Sequence, residues 1–128
     1  MDSPADRRYA RTHVWARRDD AGDVRVGLTH VSAAYLGDAV YVELPPLQAE
    51  VATGEPVGLV ESSSGVCEVI APVSGIVVGI NPAAEQSPET ITSDPYGEGW
   101  LLAVRPSAPA ELDALLDNRE YDLLAGEE

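Results

Sequence analysis

The sequence predicts a mainly β domain, a small sandwich or barrel-like body that carries a few helices. Short runs of alternating or β-branched apolar residues recur between turn signals rich in Pro, Gly and Asp. Near the end of the chain the apolar spacing becomes helical, with Leu112, Leu115 and Leu116 on one face. Many short strands with close turns, followed by helical pieces, are typical of decorated sandwiches and barrels.

The first half of the chain is predicted to alternate strands with turns. Strands are expected over residues 13–17, 24–28, 38–44 and 56–60, because these runs alternate or are β-branched and end at turn residues. Thr29 is expected to cap a short helix that runs to Leu36. That helix would carry Val31, Ala34 and Tyr35 at helical spacing.

The second half begins with a predicted β-hairpin over residues 60–75. One apolar run ends at Val60, a small polar loop follows, and a second apolar run begins at Val66. A strand over 76–80, a loop or broken helix over 81–92, a turn cluster over 94–99 and a strand over 100–104 are expected next. A helix should then run from Ser107 or Pro109 to Leu116, and Asn118 should cap a last one.

The polar ends are expected to be tails. Residues 1–8 are predicted to form a disordered tail, residues 9–124 a single domain, and residues 125–128 a second tail. The first residues are charged, with no apolar stretch of the kind found in signal peptides, and no run approaches the length of a membrane helix. We therefore expect a cytoplasmic protein without a membrane partner.

Charge is strongly one-sided. Eight basic residues against 22 acidic residues give a net charge of −14 and a pI near 4.2. This balance argues against a nucleic-acid partner, because phosphate binding needs a basic surface. An acidic surface fits docking to a basic protein, simple solubility or adaptation to salt.

The chain contains no lysine, and all eight of its basic residues are arginine. Lipoylation, biotinylation and Schiff-base formation all need a side-chain amine, so these modifications are not expected on any side chain. Cys67 is the single cysteine, which rules out a disulfide within the chain.

Several motifs with matching spacing identify a family. They are Tyr9 with Thr12-His13 and Trp15, Val26-Gly27-Leu28-Thr29, Leu36-Gly37-Asp38, Tyr41-Val42-Glu43-Leu44-Pro45, Gly54-Glu55-Pro56, Val60-Glu61-Ser62, Ala71-Pro72-Val73-Ser74-Gly75 and Asp94-Pro95-Tyr96-Gly97-Glu98-Gly99-Trp100-Leu101. The sequence resembles the H proteins of the glycine cleavage system from about Tyr9 to Leu124. The resemblance implies a mainly β barrel-sandwich hybrid, the fold of lipoyl and biotinyl carriers, with a short internal helix and C-terminal helices.

The same resemblance implies a specific difference at the hairpin. The family pattern is Glu-Ser-x-Lys-x-x-Ser/Ala, and its lipoyl-lysine carries an aminomethyl group from a pyridoxal-phosphate decarboxylase to a folate-dependent aminomethyltransferase. In the same frame Ser64 stands at the lysine position, within the predicted hairpin loop of Glu61, Ser62, Ser63, Ser64 and Gly65. Lipoate, the family's cofactor, is therefore not expected here, and homologues of those two enzymes are the expected partners.

Two functions remain open on this basis. The first is a non-lipoylated docking, scaffold or regulatory component. The second is a repurposed carrier that holds an acyl or sulfur-linked intermediate on Cys67. Glu68 and the acidic surface disfavour the second, because nearby negative charge raises a thiol pKa. A half-buried strand residue is the alternative interpretation of Cys67.

No catalytic or metal-binding set is expected. His13 and His30 are far apart in sequence and lack neighbours at metal-ligand spacing, and the resemblance makes His13 structural. Asp94 and Glu98 flank turn glycines and are interpreted as turn-forming residues. The three serines at the hairpin could accept a phosphate, but a polar turn explains them more simply.

Overall fold

Two antiparallel sheets form the body of the protein, and the computed structural model describes residues 3–126. The strands within these residues are β1 Arg8–Tyr9, β2 Val14–Arg18, β3 Val24–Leu28, β4 Ala39–Glu43, β5 Glu50–Val51, β6 Pro56–Ser62, β7 Gly65–Ile70, β8 Gly75–Ile80 and β9 Leu102–Pro106. The helices are α1 His30–Leu36, α2 Pro82–Gln86, α3 Glu89–Ser93, α4 Ala110–Asp113 and α5 Asn118–Gly126.

The larger sheet has the order β1-β2-β3-β9-β8-β5, and the smaller sheet has the order β4-β6-β7. Each sheet contributes to one shared core of mostly aliphatic side chains. That core includes Val14, Val26, Leu28, Leu36, Val60, Val69, Val73, Val77, Ile91, Leu101, Leu102 and Val104. The mainly β class expected from the short runs and close turns is confirmed.

The predicted strands are largely present, with shifts at their ends. Strand β3 has the predicted bounds, and β2 begins one residue later than expected. Strand β9 begins at Leu102 instead of at residue 100. The buried Asn81 side chain explains this shift, because its amide donates to the carbonyl oxygens of Glu98 and Trp100 at 2.7 Å each and so holds that segment as a loop.

The segment over 81–92 is a broken helix, one of the two predicted alternatives. Helices α2 and α3 are separated at Ser87 and Pro88. Proline cannot donate a helical hydrogen bond, so it interrupts the first helix and opens the second. Asn81 caps α2 by accepting a hydrogen bond from the Ala83 amide at 3.1 Å.

Helix α1 differs from its prediction in its cap and its buried face. Thr29 precedes the helix, but its side chain makes no cap; its Oγ1 lies 2.7 Å from the Tyr121 hydroxyl. The helix buries Ser32, Ala33 and Leu36, whereas Ala34 and Tyr35 are exposed. A seven-residue helix that is apolar on several sides has no clear periodicity, so the spacing could not select the buried face.

The C-terminal helices also differ from the predicted ones in where they begin and end. Helix α4 stops at Asp113, because Leu116 instead exchanges two backbone hydrogen bonds of 2.8 Å with Tyr9. Asp117 and not Asn118 caps α5, since its Oδ1 accepts from the Glu120 amide at 2.8 Å. Glu120 completes a reciprocal capping box by accepting from the Asp117 amide at 3.0 Å.

The described terminal residues pack together and differ from the tails expected from their composition. Ser3 is buried, and its hydroxyl donates to Asp122 Oδ1 at 2.6 Å. Helix α5 continues through Gly126. The remaining predicted tail residues, Met1, Asp2, Glu127 and Glu128, lie outside the described residues. Within residues 3–126 no helix is long and apolar enough to cross a membrane.

A second core cluster is aromatic and depends on a glycine. Tyr9 and Tyr121 stack with ring centroids 4.9 Å apart, and Trp15 is buried beside them. Trp15 pairs directly with Gly27 across β2 and β3. A Cβ atom at Gly27 would lie 2.6 Å from three atoms of the indole ring, so only glycine leaves room for Trp15.

Gly27→Ala should therefore destabilise the protein by about 1–3 kcal/mol, the usual cost of overpacking a filled core. Urea denaturation followed by circular dichroism measures this change. Gly126→Ala is the matched control, because no described atom outside its own helix backbone and chain neighbours lies within 4 Å of the added Cβ, and its effect should stay below about 0.5 kcal/mol. Equal stability of Gly27→Ala and the unmodified protein would contradict the packing role of Gly27.

Candidate functional site

The hairpin formed by β6 and β7 has a tighter tip than the sequence suggested. Ser62 pairs with Gly65, so Glu61, Ser62 and Gly65 belong to the strands, and only Ser63 and Ser64 form the turn. Both turn residues are exposed. The Ser62 hydroxyl oxygen accepts a hydrogen bond from the Ser64 amide at 3.1 Å, which closes the turn locally.

The register of this hairpin assigns its side chains to two faces. Val60 is opposite Cys67, and Glu61 is opposite Val66. Val60 is fully buried, so Cys67 points towards the core. Val66 points outwards and is 52% exposed.

The outward side chains continue onto β4. Tyr41 pairs with Glu61, which in turn pairs with Val66, so the three side chains form one row across the small sheet. Tyr41 is 48% exposed. We call Tyr41, Glu61 and Val66 the outer row. It combines apolar surface with negative charge immediately beside the hairpin tip.

Cys67 lies in a recess beneath the hairpin. A cavity of about 280 Å³ is lined by Cys67 together with His13, Val31, Ser32 and Tyr35. Burial raises the pKa of the Cys67 thiol, and a hydrogen bond with the Ser32 hydroxyl offsets part of this effect. Glu68 was expected to raise the thiol pKa, but its side chain belongs to the opposite, exposed side of β7.

Helix α1 supports the hairpin through Tyr35. A Cβ atom at Gly65 would lie 2.6 Å from the Tyr35 hydroxyl oxygen, so the ring rests against the hairpin backbone just after the turn. Tyr35 is nevertheless 59% exposed and extends the apolar surface around the tip. The sequence assigned this residue to a helix face and gave no signal of its contact with a strand thirty residues away.

The two histidines are hydrogen-bonded to different tyrosines, although both rings pack edge-on against Tyr121. His13 Nδ1 lies 2.7 Å from the Tyr121 hydroxyl, and His30 Nδ1 lies 2.7 Å from the Tyr96 hydroxyl. Burial lowers the pKa of His30. Residues 3–126 hold no group of three or more His, Cys, Asp or Glu side chains arranged to bind a metal ion.

Asp94 has the geometry of a turn-forming residue. Its Oδ2 accepts from the Glu98 amide at 2.9 Å, and its carbonyl oxygen accepts from the Gly99 amide at 2.9 Å. Both interactions close the turn before the β9 segment. This geometry agrees with the structural interpretation of Asp94 made from the sequence.

Comparisons with known proteins match nearly the whole chain to one family. The model of the family described as glycine cleavage H-protein matches residues 7–128. The chain is 45% identical to the glycine cleavage system H protein of Anaeromyxobacter sp. strain K, covering 100% of this chain and 99% of that protein. It is 43% identical over 118 residues to the H protein of Neisseria meningitidis serogroup C, covering 92% of each.

A solved structure gives the same result for the fold. The crystal structure of an H protein from Mycobacterium marinum matches with a TM-score of 0.88 and 43% identity, covering 97% of this chain and 99% of that one. The barrel-sandwich fold implied by the sequence resemblance is therefore confirmed. Family members are carriers that do not themselves catalyse a reaction. The chain belongs to the glycine cleavage H-protein family.

Proposed function

We propose that this protein is an H-protein-like component that carries no lipoyl group and acts by docking, as a scaffold or regulator. Its partners would be homologues of the glycine-cleavage decarboxylase or aminomethyltransferase. The observation that carries the proposal is Ser64 at the exposed tip of the hairpin, in a chain without lysine.

The chemistry of the tip supports the loss of the carrier function. A lipoyl amide forms on a side-chain amine, and the serine hydroxyl is no substitute for it. Serine also lacks the long flexible stem with which lysine carries its terminal group away from the backbone. The turn itself stays exposed and closed by Ser62, so the scaffold that would present a modified side chain persists without one.

The surface around the tip supports docking. The outer row on one face of the hairpin and Tyr35 on the other expose apolar side chains, which are usual at the centres of protein interfaces, and the outer row includes a carboxylate. The net charge of −14 would steer the protein towards a basic surface on its partner. We expect the partner to be a protein in the cytoplasm, with neither nucleic acid nor membrane involved and no catalytic group supplied by this chain.

Restoring the amine should restore modification. Ser64→Lys, incubated with a lipoate ligase, lipoate and ATP, should gain the mass of one lipoyl amide in intact-mass spectrometry, because the hairpin already has the carrier geometry. Ser63→Lys is the matched control, since it adds the same amine one position away in the same turn, and it should remain unmodified. Modification of Ser63→Lys alone, or of the unmodified sequence, would contradict the assignment of Ser64.

Removing the apolar side chains of the outer row should weaken docking. The double variant Tyr41→Ser, Val66→Ser should bind a glycine-cleavage decarboxylase at least about tenfold more weakly, since central apolar anchors often contribute 1–2 kcal/mol or more. Isothermal titration calorimetry measures the affinity. Leu123→Ser removes a similarly exposed apolar side chain from α5 and should leave the affinity unchanged. Equal weakening in both variants would argue against this docking surface.

The alternative carrier function through Cys67 is less well supported, because the thiol faces inwards and burial raises its pKa. With 5,5′-dithiobis(2-nitrobenzoic acid) at pH 7.5, folded protein should react at least about tenfold more slowly than protein unfolded in urea. Cys67→Ser with Val66→Cys moves the single thiol to the exposed side and should react rapidly.

A fast reaction of Cys67 in the folded protein would favour the carrier alternative. Intact-mass spectrometry of protein from its native host separates the two functions further. A thiol-sensitive adduct on Cys67 would support the carrier, whereas unmodified protein that co-purifies with the two enzymes would support docking.

A further inference from the structure

A second cavity lies over strands β2 and β3, and the docking proposal does not involve it. Its volume is about 240 Å³, and its lining includes Trp15, Arg17, Arg25, Glu98 and Trp100. Two of the eight arginines of the chain line this one cavity. Both tryptophans of the protein line it.

The two arginines are direct partners across the sheet. Arg17 is opposite Arg25 in the β2–β3 register, so their side chains leave the same face. Such pairs have Cβ atoms about 4.5–5.5 Å apart, and like charges at this separation destabilise a sheet. A negative group between the two guanidiniums would remove this cost.

Arg17 has a buried hydrogen-bond donor that the described part of the chain leaves without an acceptor. Its Nε is buried and has no hydrogen-bond partner among the described residues. Its Nη1 forms an ion pair with Asp6 Oδ2 at 3.6 Å, which is longer than a hydrogen bond, so Asp6 balances part of the charge of Arg17 without filling its donors. Asp6 is instead bonded through Oδ1 to Arg7 Nε at 2.8 Å.

Arg25 also offers side-chain donors that no residue within 3–126 accepts. Its guanidinium lies over the Trp100 ring at 4.5 Å from the ring centroid. This contact is favourable, but it satisfies none of the five N–H donors of the guanidinium. Trp15 packs nearby beneath Arg7, at 4.6 Å, so aromatic rings hold the neighbouring cations in place.

We propose that this cavity binds a small phosphate-type oxyanion between Arg17 and Arg25. A guanidinium offers paired N–H donors that match the oxygens of such an anion, and two guanidiniums match its double charge. The exposed carboxylate of Glu98 also lines the cavity and repels an anion, so binding requires the two guanidiniums to outweigh this charge. Loose accumulation of anions is disfavoured by the net charge of −14, so binding requires a specific site.

Tryptophan fluorescence provides a direct test, because both indoles line the cavity. Inorganic phosphate is titrated into the full-length protein while sodium chloride keeps the ionic strength constant. We expect a saturable change in fluorescence, with the affinity reduced at least tenfold in Arg17→Gln and in Arg25→Gln. Arg119→Gln makes the same charge change at an exposed position of α5 and should bind like the unmodified protein.

Thermal denaturation gives a second measurement that does not rely on fluorescence. Phosphate should raise the Tm of the unmodified protein above its value in sodium chloride of equal ionic strength, and it should not do so in Arg17→Gln or Arg25→Gln. Circular dichroism verifies that the variants are folded.

Glycerol phosphate, titrated in parallel, identifies the source of the group. Binding of both compounds supports a site for phosphate esters, and binding of inorganic phosphate alone supports a site for the free ion. No saturable response to either compound, or an equal loss of affinity in Arg119→Gln, would overturn the proposal.

Discussion

The alternation of side chains along a β-strand is the constraint on which most of this structure depends. Because successive residues point to opposite faces, each pairing register decides which side chains meet. In the β6–β7 hairpin the register sends Cys67 inwards and Val66 outwards. In the β2–β3 pair it places Trp15 over Gly27 and, two residues further, Arg17 opposite Arg25. One geometric rule thus separates the half-buried, inward-facing thiol from the exposed row and also creates the paired cations.

A polar network inside the aromatic cluster joins parts of the chain that are distant in sequence. The Tyr121 hydroxyl lies 2.7 Å from both His13 Nδ1 and Thr29 Oγ1. Tyr121 belongs to α5, whereas His13 immediately precedes β2 and adopts a left-handed backbone with φ 66°. Buried polar groups of this kind lower the free energy of the fold only when they are satisfied, so the network favours one placement of the C-terminal helix.

Local signals in the sequence were sufficient to predict most strands and to identify the family. Alternation and turn residues located β3 and the two arms of the hairpin, and the motif spacing identified the H-protein family. The errors arose where a distant side chain competes with a local one. Thr29 is a residue type that often caps helices, yet its hydroxyl is hydrogen-bonded to the Tyr121 hydroxyl of α5. Tyr35 resembled a core residue of α1, yet it is exposed beside Gly65. Propensity and periodicity contain no information about such contacts.

The two-residue turn at Ser63 and Ser64 also has a kinetic consequence. A short turn brings β6 and β7 together by closing a very small loop, which costs little entropy, and hairpins of this kind form within about 1–10 μs. We expect this ribbon to be among the first structures to form as the chain folds. Its strands would then assist folding whichever residue occupies the turn. A chain can lose the reactive residue at the turn and still be selected to keep the hairpin around it.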